Sequence, residues 1–225
     1  MKLSADWPDD TRKRVFWSLL FRPVRAFMLF LAPVRIEGRE NVPASGAFIV
    51  VANHVTAMDP PWLVFALGRP IRWMGKSELF ELFLVGWALR LIDIIPVRRG
   101  ESDRRAVVRA LIVLRQGLPL GLFPEGHRSP DGTLLRGRGG IAFMAKRTGA
   151  LLLPVGLVGM KRARIGRFWR RDITIRIGSP FLADELPEAR SGDNQELADG
   201  VMRRIAALLP EDQRGAYGGR VDASR

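Results

Sequence analysis

The chain has 225 residues, 47% of them hydrophobic and 8% aromatic, and its 36 Lys and Arg against 23 Asp and Glu give a formal net charge of +13. That apolar content excludes a disordered or collagen-like chain and suffices for one buried core, so the sequence reads as a single globular unit. With no cysteine and only two histidines, His54 and His127, disulfides, thiolate sites, a cysteine nucleophile and a three-histidine zinc centre are excluded.

The most apolar long stretch, Val15 to Val34, carries Arg22, Pro23 and Arg25 at its centre. A spanning helix needs about 20 largely uncharged residues, so this segment fails that test, and it lacks the cleavage signal of a secretory leader. Split at Pro23, residues 1–34 read as a pair of amphipathic helices whose arginines alternate with Phe16, Trp17, Phe27 and Phe30. That composition suits a helix lying among lipid headgroups, the alternative being a helix pair that covers the domain's own core.

From Ile36 onward, strand-length apolar runs alternate with helix-length amphipathic ones. Strands are expected at Ala47 to Ala52, Ile71 to Met74, Ile92 to Val97, Leu120 to Phe123 and Leu151 to Leu157. Ile173 to Ile177 alternates more strictly and reads as an edge strand. Helices are expected at Pro60 to Leu67, at Glu78 to Leu91, and from a cap at Ser102 or Asp103 to about Gln116. Two more follow, at Gly140 to Arg147, closed by Gly149, and at Asn194 to Leu209. Continuous apolar strands separated by helices predict an α/β domain over residues 35–209, with a mainly parallel central sheet flanked by helices. Residues 210–225 read as a flexible tail.

Chemistry is expected where strands end, because open α/β sheets bind ligands at their carboxyl edges. Asn53-His54-Val55-Thr56-Ala57-Met58-Asp59-Pro60 leaves the first buried strand. On a regular helix His54 and Asp59 would stand about 140° apart, so they meet only through a bend before Pro60. If they meet, Asp59 holds one imidazole nitrogen protonated and leaves the other free to take a proton from a hydroxyl. That is two thirds of a serine-hydrolase triad, with the substrate's own alcohol supplying the missing nucleophile. The alternative is a packing or capping histidine.

Phe123-Pro124-Glu125-Gly126-His127-Arg128-Ser129-Pro130-Asp131-Gly132 leaves a second strand. Gly126 permits close backbone approach, Arg128 offers a planar fork for phosphate, and Glu125 can accept from a polyol; the bland reading is a turn-rich loop. Lys76 ends another strand, and Arg98-Arg99 follows Ile94-Ile95-Pro96-Val97. The strand ends thus carry one base, carboxylates at 59 and 125, and cations at 76, 99 and 128, an inventory that suits a phosphate-bearing alcohol.

These blocks resemble the glycerolphosphate acyltransferase family. NHVTAMDP is similar to its NHx4D block, FPEGHRSPDG to its FPEGTRS block, IIPVRRG to its arginine block and LLLPVGLVG, around Pro154, to its fourth. The similarity covers roughly residues 36 to 160, with length and N-terminal region most like bacterial 1-acylglycerol-3-phosphate acyltransferases. It implies that His54 is the general base and Asp59 its partner. It further implies that Arg99, Glu125 and Gly126 bind the glycerol phosphate, with Arg98 replacing Arg99 if the register slips by one. The implied donor is a thioester of coenzyme A or acyl carrier protein, the acceptor a lysophospholipid, the product phosphatidate. His127 stands where the family usually has threonine, Asp93 where glycine is common and Thr56 where serine is common.

Acyl transfer to another lysolipid or to glycerol 3-phosphate is the nearest alternative. The net charge alone fits a non-catalytic basic module that binds anionic lipid or nucleic acid. The dense basic run Lys161 to Arg171 includes Phe168 and Trp169 but lacks a recognisable nucleic-acid fold, so an anionic membrane surface is the expected partner and no nucleic acid is expected. The expected location is peripheral, on the cytoplasmic face of the cell membrane. No metal and no cofactor are expected. The apolar run Leu79 to Leu91 is a candidate wall for an acyl channel, or an ordinary core helix.

Overall fold

A computed structural model of the chain describes residues 23, 34–98, 103–162 and 173–218. The expected amphipathic pair of residues 1–34 lies outside the described residues except at Pro23 and Val34, and Val34 already opens a strand. Seven described strands form one sheet: β1 (Val34–Glu37), β2 (Phe48–Ala52), β3 (Arg72–Lys76), β4 (Ile95–Val97), β5 (Leu120–Leu122), β6 (Leu151–Val158) and β7 (Ile173–Ile177). Their order is β1-β7-β6-β2-β5-β3-β4. Every pairing is parallel except that of β6 with β7. Five described α-helices join them: α1 (Asp59–Leu67), α2 (Phe83–Leu91), α3 (Arg104–Arg115), α4 (Gly140–Thr148) and α5 (Asn194–Ala206).

Strand β2 shows why the sheet is continuous in apolar residues: all five are fully buried. Side chains alternate across a strand. Ile49 and Val51 therefore pack with Ala110 and Leu114 of α3, Ile141 of α4 and Val201 of α5, while Phe48, Val50 and Ala52 pack with Trp62 and Leu63 of α1. Both faces are covered, as a parallel sheet requires. Full burial of a Phe, Ile or Val side chain is worth about 1.5–3 kcal/mol, so the centre of the sheet is a stable base for the loops above it.

The structure revises four of the sequence expectations. Strand β7 is internal, because β1 pairs with it from Val34↔Ile173 to Glu37↔Arg176 and takes the edge. The run expected as one helix from Glu78 to Leu91 divides into a 3-10 turn, Ser77–Phe80, and α2, with Leu82 extended between them. An almost wholly apolar run carries no polar face to define helical periodicity. The strand expected from Ile92 begins only at Ile95, because Asp93 adopts the left-handed conformation, φ 55°, beside Arg72 at 3.7 Å. Finally, the segment from Pro210 is built into the fold as far as Gly218: Leu134 N–H donates to the Gln213 carbonyl (2.9 Å) and Ala216 N–H to the Leu134 carbonyl (3.1 Å).

Candidate active site

Because β2 and β5 are neighbours, paired from Ile49↔Leu120 to Val51↔Leu122, the loops leaving their carboxyl ends stand side by side. The β2 loop bends back before α1, and Asp59 directs the bend. Its Oδ2 accepts from the backbone N–H of Val55 (2.6 Å) and Thr56 (2.8 Å), and its Oδ1 from the Thr56 hydroxyl (2.6 Å). The same Oδ2 lies 2.8 Å from Nδ1 of His54. A carboxylate only accepts, so Nδ1 carries the proton and Nε2 is left as the acceptor. Asp59 is fully buried and His54 is 7% exposed, so water does not compete for this pair. The expected bend thus brings the two together.

The His54 ring stacks on Phe123, with centroids 3.9 Å apart and planes 13° from parallel, and Phe123 stacks in turn on Trp73 at 4.9 Å. Asn53, to which the sequence assigned no role, pins the same loop from the other side. Its Nδ2–H donates to the Leu157 carbonyl (3.0 Å), and its Oδ1 accepts from Leu157 N–H (2.7 Å). The side-chain amide thereby extends the pairing of β2 with β6 by one residue. An amide beside a strand end was the available signal.

Glu125, expected to bind the polyol, points inward instead. It is 1% exposed, its Oε1 accepts from the His54 N–H (2.6 Å) and its Oε2 from the Leu135 N–H (2.9 Å). Burial pushes its carboxyl up to about 7, against the opposing pull of the Leu135 and His54 amides, while the charges of Asp59 and Asp131 add to the rise. Ser129 N–H donates to the His54 carbonyl (2.8 Å). Both peptide groups of His54 are therefore held by the second block, which does as much to place the imidazole as to face a ligand.

His54 opens onto a cleft of about 450 Å³, whose apolar wall includes Met74, Val97, Val107, Ile141 and Met144. Arg98, Gly126, His127 and Arg138 line the same cleft. Gly126 sits at φ 78°, and a Cβ there would come within 2.7 Å of the Arg138 Nε, so glycine serves both the turn and the passage of that guanidinium. Asp103 Oδ2 accepts from Arg98 N–H (2.9 Å) and Oδ1 from Ala106 N–H (3.0 Å). These bonds hold the Asp103 carboxyl below its usual range, and one carboxylate both caps α3 and anchors the end of β4.

The remaining expected site residues divide. Gly126 lines the cleft, whereas Lys76 pairs with Glu78 at 3.0 Å on the surface and Arg128 is exposed, both away from the lining. Arg99 lies outside the described residues. Arg138, which the sequence reading passed over, takes a place among the cleft's cations. Residues 79–90 are not among those lining this cleft, and Leu82, Phe83 and Leu84 are 54%, 88% and 73% exposed. That exposure is not that of the ordinary core helix its composition also suggested. Among the described residues no helix is long and apolar enough to cross a membrane, and no cluster of His, Asp and Glu could hold a metal ion.

Comparison with known proteins places this geometry. Residues 33–158 match the family described as Acyltransferase. The 1-acyl-sn-glycerol-3-phosphate acyltransferase of Bacillus subtilis is 32% identical over 66% of this chain and 73% of its own length. That of Borreliella burgdorferi is 33% identical over 62% of this chain and 57% of its own. A chloroplastic relative from Arabidopsis thaliana is 31% identical over 56% of this chain and 36% of its own. The chain thus spans roughly a third to just over half the length of several relatives that it matches. The crystal structure of the 1-acyl-sn-glycerophosphate acyltransferase PlsC from Thermotoga maritima superposes with a TM-score of 0.69 at 30% identity, covering 88% of this chain and 80% of that one. With more than half its residues inside the family match, and with the His54–Asp59 pair at the head of the matched sheet, the chain belongs to the acyltransferase family.

Proposed function

We propose that the chain transfers a fatty acyl group from a thioester, acyl-CoA or acyl carrier protein, to the free hydroxyl of 1-acylglycerol 3-phosphate, forming phosphatidate. The observation that carries this reading is the His54 imidazole, oriented by Asp59, opening onto a cleft that Arg98 and Arg138 also line. The names of the bacterial relatives and of the Thermotoga maritima structure support the acceptor.

In this mechanism Nε2 of His54 takes the hydroxyl proton as that oxygen attacks the thioester carbonyl carbon. Asp59 stabilises the imidazolium that forms. The tetrahedral intermediate collapses by breaking the carbon–sulfur bond, and the proton passes from His54 to the departing sulfur, giving ester and thiol. Arg98 and Arg138 hold the acceptor's phosphate, and the apolar wall from Met74 to Met144 receives acyl carbon. Holding the two reactants together supplies much of the barrier reduction.

The purified protein, incubated with labelled acyl-CoA and acyl carrier protein thioesters and a panel of acceptors, tests the assignment. Label should enter phosphatidate when lysophosphatidate is present. Preferential labelling of a lysolipid without a phosphomonoester, or of glycerol 3-phosphate, would replace this acceptor with that one.

A further inference from the structure

Arg138 reaches the cleft from a segment, Leu134–Arg138, that has no regular secondary structure of its own. What fixes that segment comes from two sides. Toward the matched domain, Leu135 N–H donates to Glu125 and Arg138 N–H to the Pro124 carbonyl (2.9 Å). On the other side stand α5 and the C-terminal turns, which lie beyond residues 33–158. Gln195 Nε2–H donates to the Gly137 carbonyl (2.8 Å), and Gly137 N–H donates to the Tyr217 hydroxyl (3.1 Å). The Tyr217 hydroxyl then donates to Asp199 Oδ1 (2.7 Å), whose Oδ2 pairs with Arg136 at 3.2 Å. Leu134 is tied at both its N–H and its carbonyl to residues 213 and 216.

The Gly137 peptide, one bond before Arg138, thus has its carbonyl held by α5 and its N–H held by Tyr217. Gly137 is buried, so its amide cannot turn to water if that partner is lost, and a buried donor left unmade is costly. Met202 leaves no room on the Cα side either: a Cβ on Gly137 would lie 2.5 Å from the Met202 side chain. The peptide is held from three directions, and the next residue projects its guanidinium past Gly126 into the cleft.

We infer that the C-terminal clasp of Tyr217 on Asp199 and Gly137 is part of the acceptor site: Tyr217 is a positioning residue that sets Arg138 against the acceptor's phosphate. This rests on the reading of Arg138 given above. Loss of the clasp weakens acceptor binding, while Asp59 and Ser129 still hold His54 through bonds that do not pass through this segment.

The test compares Tyr217→Phe, Arg138→Ala and the double variant in the full chain, measuring KM for lysophosphatidate and for acyl-CoA, kcat, and Tm. Ile205→Val in α5, fully buried and outside the cleft lining, controls for general destabilisation. Tyr217→Phe should raise acceptor KM about three- to tenfold, the worth of one hydrogen bond, with donor KM and kcat within twofold of wild type. In the Arg138→Ala background it should add nothing, and Ile205→Val should lower Tm without separating the two KM values. If Arg138→Ala leaves acceptor KM unchanged, the phosphate role of Arg138 falls and the inference with it. If Arg138→Ala raises acceptor KM while Tyr217→Phe does not, or moves both KM values equally, the clasp alone is overturned.

Discussion

Asp59 has no solvent contact, so its two oxygens must be satisfied by the protein, and they are: two backbone amides, one hydroxyl and the His54 imidazole converge on them. A buried carboxylate with that many donors is held in one orientation, and it holds the imidazole in one. Glu125 is the second such group, and its elevated carboxyl gives a signed prediction. Its folded value of about 7 lies above the 4.5 of an ordinary glutamate, so between those pH values the folded chain retains a proton that the unfolded chain has released. Stability from this residue is then present below about 4.5 and lost as pH rises through 7. In thermal melts against pH, the stability of wild type relative to Glu125→Gln should fall across that window and stay flat above it. The same variant turns an amide NH2 toward a backbone N–H, at a cost of about 1–3 kcal/mol, and should lower kcat with little change in acceptor KM. A raised acceptor KM at unchanged kcat would return Glu125 to the binding role first expected of it.

The elements explain which parts of this site could be read from the chain. His54 and Asp59 were legible because a wholly apolar strand ends at Ala52 and Pro60 marks the first turn of a helix, which begins at Asp59. Between those marks a bend is the only way through. The inward turn of Glu125 was not legible, since its two partners, the amides of His54 and Leu135, come from the far side of a strand pairing and from ten residues downstream. Arg138 stood in a glycine and arginine run with no periodicity, and only the turn at Gly126 gives its side chain a destination. The edge assignment of β7 failed because its alternating burial results from cover on one face, which says nothing about how many neighbours a strand has. Asp103 was legible as a cap, but its second bond, to Arg98 N–H, joins β4 to α3 across residues 99–102. Asp103→Ala should lower Tm in calorimetry by about 2–4 °C, the usual consequence of a lost cap in a domain of this size. It should also raise acceptor KM, because Arg98 loses its anchor.

At the scale of the molecule, charge and apolar exposure argue for a lipid surface. The sequence carries a net +13, and Leu82, Phe83 and Leu84, at the start of α2, are largely exposed on a chain whose proposed acceptor resides in a bilayer. We propose peripheral attachment at the cytoplasmic face of the membrane, with anionic headgroups meeting the basic surface. The protein should float with vesicles containing anionic lipid and remain behind with neutral ones, and added salt should weaken the association. Equal binding to duplex DNA at the same ionic strength would contradict a lipid preference. The α/β class, the parallel centre of the sheet and its helical cover were legible from apolar runs alone. The C-terminal turns were not, because what orders them is a set of bonds to Leu134, Gly137 and Asp199 rather than a pattern of their own.

Proton removal by one imidazole is the step on which the proposed transfer depends. The direct measurement is the initial rate of labelled acyl transfer to lysophosphatidate by His54→Ala beside wild type, with circular dichroism confirming that both are folded. General-base catalysis of this kind contributes on the order of a hundred- to ten-thousand-fold, so the folded variant should lose at least two orders of magnitude in kcat. A folded His54→Ala protein that keeps a tenth or more of the wild-type rate would contradict the account.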